Sequence, residues 1–206
     1  MRTQNAESYL QAAASVVDLV GRIGPDAWDG PGLGDWDLRS LVGHTGRALT
    51  TVLTYLHQPA ERIDQASPET YFAHVLPSGR QVDPGAVLER GRQAGRALGD
   101  DPAAGFGALV DQVGAELASA DPAAVITTIA GGMTVDAYLP TRTFELVVHG
   151  LDIGAAADLP TTFTPASLNE TCALAGRIAA RAGRGPQMLR ALTGRADLPP
   201  GFSIVA

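Results

Sequence analysis

Apolar residues recur along this chain at helical spacing far more often than they alternate. From Ala6 to Ile23, Leu10, Val17 and Leu19 with the alanines between them form one stripe, which Gly24-Pro25 ends, so the spacing predicts a first helix. After a loop rich in Gly and Pro, Asp37 is placed to cap a second helix from Leu38 to about His57. Leu38, Leu41, Val42, Leu49, Val52, Leu53 and Leu56 make its buried side, and Pro59 stops it. Residues 62–83 carry Pro68, Pro77, Ser78 and Gly79 with no sustained period. They read as a long connection with one helical turn at Tyr71 to Val75, able to lie over a site.

Asp83-Pro84 is a cap followed by proline at the first helical position, opening a third helix to about Gly99 with an Arg-rich exposed face. A short helix over Ala104 to Ala118 follows. The β-branched run from Val125 and the glycines before Met133 predict a brief hairpin or an extended segment, the one strand-like passage. Thr134 to Ala157 returns to helical spacing, with Tyr138, Leu139, Phe144, Leu146, Val147, Leu151 and Ile153 as its apolar set and Pro140 placed to bend it. Thr164 caps a helix from Pro165 to about Ala182. The expected organisation is mainly α: a helical bundle over 1–185 with additional short helices and at most a small hairpin. A tail, 186–206, holds a short helix and then runs extended against the bundle.

Composition narrows the function. A chain of 206 residues suits one well-filled core, and no segment stays apolar for the roughly 18–20 residues of a membrane span. The first residues lack the apolar stretch of a secretory signal, so the expected location is the cytoplasm. A net charge of −7 without a dense basic run argues against nucleic acid and anionic membranes as partners and favours a small-molecule substrate. Cys172 is the single cysteine, which excludes an internal disulfide and a cysteine metal cluster. Any metal ligands must come from His and carboxylates. All 15 basic residues are Arg, a bias of GC-rich genomes that fits an actinobacterial source.

Glu145 and His149 are four apart in F-E-L-V-V-H-G-L-D, so a helix projects both from one face, where they could share a metal or only a hydrogen bond. His44 in V-G-H-T-G lies mid-helix between apolar positions, where an unpartnered imidazole would cost about 1–3 kcal/mol. It needs a partner inside. Gly43 and Gly46 beside it leave room for something large to approach that face.

At this point the two segments D-W-D-L-R-S-L-V-G-H and R-T-F-E-L-V-V-H-G-L-D-I resemble the signatures of the mycothiol-dependent maleylpyruvate isomerase family, within the DinB-like superfamily. The likeness runs from the first helix to about Ala182, and A-L-T-G-R-A-D-L-P-P-G-F resembles the endings of short members. It implies a DinB-like four-helix bundle, with the metal ligands falling on His44, Glu145 and His149. Two imidazoles and a carboxylate are a common catalytic zinc shell whose fourth position stays open, although nickel or iron would also suit such donors. The resemblance implies mycothiol, a low-molecular-weight thiol, as the partner at that position. Too few residues follow for the additional C-terminal domain of the enzyme that names the family, which puts maleylpyruvate itself in doubt. The remaining readings are cis–trans isomerase or thiol S-transferase, a zinc-water hydrolase without thiol, and a non-catalytic metal-binding module.

Further candidates each carry a plain alternative. Asp152 could accept from a metal-binding imidazole or face solvent. Arg142 could hold a substrate or thiol-cofactor carboxylate, with pairing to Glu145 or another acid slightly favoured. Arg47 could anchor an anion at the cavity rim or be a solvated charge. His74, in the long connection, could act in acid–base chemistry or be a surface residue. His57 suits a helix C-terminus, Trp36 packs over the second helix, and a homodimer stays open.

Overall fold

The computed structural model describes residues 2–75 and 84–205. Four helices close into a ring. They are α1 (Gln4–Val20), α2 (Leu38–Leu56), α5 (Pro102–Ser119) and α6 (Val135–Ala156), with α1 and α2 each packed on both α5 and α6. Tyr9, Leu41, Leu49, Phe106, Tyr138 and Leu146 are fully buried within it. Outside the ring, α4 (Pro84–Ala97) lies on α2, and α7 (Pro165–Arg181) lies on α1 and α6. The short α3 (Pro68–Val75) bridges α6 and α7, and α8 (Gly185–Leu192) rests on α7. The protein is therefore a mainly α bundle, and among the described residues no helix is long and apolar enough to cross a membrane.

Local chemistry sets the ends. Thr3, Asp37, Asp101, Thr134 and Thr164 each accept a backbone N–H three residues on, which satisfies a first-turn donor of α1, α2, α5, α6 and α7. The Asp101 cap and Pro102 explain why α5 starts earlier than the expected Ala104. The expected Asp83 cap of α4 lies outside the described residues. Around Tyr71 the chain forms eight residues of helix rather than one turn, begun by Pro68 and by mutual hydrogen bonds of Ser67 and Thr70.

The hairpin is present as β1 (Val125–Thr128) and β2 (Gly131–Thr134), antiparallel, with Val125 opposite Thr134. Ala60 N donates to Val125 O at 2.9 Å and Thr127 N to Gln58 O at 2.6 Å, so the hairpin is tied to the segment leaving α2. Pro140 removes the helical hydrogen bond that Asp136 O would accept. Asn5 Nδ2 donates to that oxygen at 3.1 Å and to Asp136 Oδ2 at 2.9 Å, so α1 supplies what α6 lacks.

Three expectations need correction. Leu151 is 50% exposed and stands outside the core. The tail after α8 is turn-rich rather than extended, with Ile204 against the core. Gly43 and Gly46 do not open space for a ligand. A Cβ on Gly43 would lie 2.1 Å from Gly95 N of α4, and Gly46 faces Phe106 and Leu109 of α5. What approaches is backbone and core, because a missing Cβ lets helix α4 seat directly on α2.

Candidate metal centre

Two polar stripes run down otherwise apolar helices and meet at one cavity of about 390 Å³. On α2 the stripe is His44, Arg47, Thr51 and Tyr55, and on α6 it is Tyr138, Arg142, Glu145 and His149. Both follow the three-and-four spacing that keeps side chains on one helical face. Tyr71, Phe72 and Val75 of α3 add an apolar wall, as do Phe144 and Val148 of α6, and Ile129 of the hairpin and Val205 of the tail complete the rim.

His44, Glu145 and His149 converge there, with one potential ligand atom from each lying within 4.8 Å of the others. The two imidazoles meet edge to face, centroids 4.9 Å apart. Nε2 of His149 is 3.3 Å from Glu145 Oε2, and its Nδ1 donates to Asp152 Oδ2 at 3.1 Å. His44 stacks on Trp36 at 4.4 Å, and the indole is fixed by its own N–H, donated to Leu88 O at 3.0 Å. Trp36 thus touches the site as well as the core, a contact that sequence reasoning missed.

The two rings carry opposite electrostatics. Burial, helped by the neighbouring His149, pushes the His44 imidazole down to about 4. Burial also opposes charge on His149, but hydrogen bonds to Asp152 and Glu145 outweigh it and lift that ring to about 9. Glu145 is likewise opposed by burial, yet its hydrogen bond with His149 and the nearby Arg142 charge hold its carboxyl below the usual range.

This donor set fits a divalent ion. Two imidazoles and one carboxylate converge, His44 is held neutral, and its Nδ1 is buried with no hydrogen-bond partner among the described residues. The proton that His149 directs at Glu145 is the one an ion would displace.

The remaining candidates divide. Arg142 and Arg47 line the cavity, and Asp152 sits behind His149. Arg142 is buried and forms no ion pair among the described residues, so the salt bridge to Glu145 is not made. Its Nη2 donates to Tyr71 Oη at 3.3 Å and its Nε to Thr141 Oγ1 at 3.0 Å, while the guanidinium lies 5.4 and 5.0 Å from the Tyr71 and Tyr138 rings. His74 is exposed on α3 and does not line the cavity. His57 caps α2, exposed and 3.6 Å from Glu116, and Cys172 is exposed on α7. Tyr71, Tyr138 and Thr51 were legible only as helical residues. For Tyr138 the signal was the four-three-four spacing of Tyr138, Arg142, Glu145 and His149, a polar line on a buried helix.

A ring of helices with a metal-competent group facing a cavity describes a class of fold and site. The chain belongs to the mycothiol maleylpyruvate isomerase N-terminal domain family, whose model matches residues 9–154. No curated protein and no solved structure matches it.

Proposed function

We propose that the protein is a zinc-dependent, mycothiol-using enzyme that isomerises a small electrophile or transfers the thiol to it. The observation that carries this reading is the convergence of His44, Glu145 and His149 on a cavity, in a chain of this family. These three side chains would hold the ion with a position left for a further ligand, and it would supply Lewis acidity that favours the thiolate form of a thiol. The protein's own groups do the rest. Asp152 orients the His149 ring through Nδ1, Trp36 backs the His44 ring, and the aromatic walls give the thiol an apolar surface to lie against. Cys172, exposed on α7 and outside the cavity lining, is not the nucleophile in this scheme.

The test is metal analysis of the purified protein, followed by calorimetric titration with mycothiol before and after chelation. About one equivalent of zinc and thiol binding that disappears with it support the proposal. Zinc without mycothiol binding shifts the reading to hydrolysis, and no metal after reconstitution overturns it.

A further inference from the structure

No described residue of α4 lines the cavity, yet α4 reaches the candidate metal centre through Trp36. The indole donates its N–H to Leu88 O of α4 at 3.0 Å and lies against the His44 ring, centroids 4.4 Å apart. Its backbone is fixed as well. Trp36 N donates to Leu33 O at 3.1 Å and Trp36 O accepts from Gly32 N at 2.8 Å, inside a loop that Leu38 N closes onto Gly30 O at 2.9 Å. The side chain therefore has little freedom to swing aside.

The two imidazoles of the site are steadied differently. Asp152 holds Nδ1 of His149, whereas no comparable hydrogen bond holds His44 among the described residues, and its Nδ1 is buried without a partner. A metal-binding imidazole is usually oriented by a hydrogen bond at its second nitrogen. For His44 the direction of the ring rests on packing, and the indole is the flat surface it packs on.

Gly91 is what lets the indole lie there. Gly91 is buried, and a Cβ on it would fall 2.5 Å from Trp36 Nε1, 2.6 Å from Cε2 and 2.9 Å from Cζ2, closer than non-bonded atoms approach. Leu88 and Gly91 stand about one turn apart on α4, so the acceptor and the gap serve the same ring. Gly43 and Gly95 hold α4 to α2 backbone against backbone, whereas Gly91 acts through a side chain and can be separated from the fold.

We propose that Gly91 is a positioning residue of the metal centre: it seats the Trp36 indole against α4, and the seated indole sets the direction in which His44 presents its lone pair. The inference rests on the functional reading above for the metal and on none of its thiol chemistry.

Zinc affinity, read by competition with a chromophoric chelator in Gly91→Ala, Trp36→Phe and the variant carrying both, tests this, with thermal unfolding of the chelated proteins alongside. Gly91→Ala favours the helix itself, so a loss of affinity comes from the contact. It should bind zinc about ten- to a hundredfold more weakly than the wild type, the range of a lost orienting contact. The Trp36→Phe ring is smaller and has no N–H for Leu88, which leaves room for the added methyl group. The double variant should therefore bind zinc within about twofold of Trp36→Phe, a non-additivity that action through the indole requires. Cobalt in place of zinc gives a second readout. The d–d absorption of Gly91→Ala should differ from the wild type, and that of the double variant should match Trp36→Phe.

Wild-type zinc affinity and cobalt absorption in Gly91→Ala overturn the proposal. So does a loss of the same size in the Trp36→Phe background, which assigns it to the bundle and not to the indole. If Gly91→Ala alone does not fold, Trp36→Leu, which removes the ring, decides: weaker zinc with an altered cobalt spectrum supports the proposal, and wild-type behaviour overturns it. No metal in the wild type sinks this inference and the functional reading together. Zinc without mycothiol binding removes only the thiol reading, and zinc and mycothiol binding untouched by Gly91→Ala sink only this inference.

Discussion

On α2, His44 sits against an indole and among buried apolar neighbours, with no acid beside it on its own helix. On α6, His149 lies between two carboxylates, Glu145 one turn before and Asp152 one turn after. The first ring is neutral at physiological pH and the second is an imidazolium. The same residue type is thus prepared in two ways for one task. A metal bound there would meet a ready lone pair on α2 and would have to displace a proton on α6, so binding should release a proton near neutral pH.

The largest expected effect comes from deleting either side of the pair. His44→Ala and His149→Ala should each weaken zinc by roughly a hundredfold to a thousandfold, since about 10–16 kcal/mol of binding at a structural zinc site with four donors is about 2.5–4 kcal/mol for each. Competition with a chromophoric chelator measures this, and retention of wild-type affinity by either variant would remove that residue from the site. Asp152→Asn should act only on the α6 side, lowering metal affinity about 10–100-fold. In the chelated protein the His149 titration, followed by NMR, should then move below its wild-type value.

The pH dependence of the metal-free protein sharpens the contrast. His149 has a raised pKa, so its contribution to stability is complete below the unfolded value and is lost as pH rises through about 9. His44 has a lowered one, so its contribution is present above the unfolded value and is lost as pH falls toward about 4. Thermal unfolding across pH should show a maximum between these limits, and His149→Gln should remove the alkaline decline attributable to this ring while leaving the acid one. The smallest effect belongs to Trp36→Phe, where a ring still backs His44 and metal affinity should fall by less than about tenfold.

Most helices were legible because their ends are written locally. Asp37 and Thr164 are caps by residue type, and α2 and α7 begin where those caps put them. The convergence of His44, Glu145 and His149 was legible from spacing and from resemblance. What periodicity could not say is what lies opposite a buried face. It marked Gly43 and Gly46 as points of close approach but not that α4 and α5 are what arrive there. It placed Arg142 one turn from Glu145 and suggested a pair. The Tyr71 hydroxyl that actually receives Arg142 comes from a helix 71 residues earlier, a long-range contact no local rule contains.

The seat of α4 on Gly43 bears on how the family can vary. The residue next to His44 is pinned by backbone against backbone, with no side chain between to grow, shrink or rotate. Drift in the core can therefore reshape the far walls of the cavity, from Tyr55 to Val205, while His44 keeps its height where the two helices touch. Such a joint would let a lineage change the shape of the cavity without moving that imidazole.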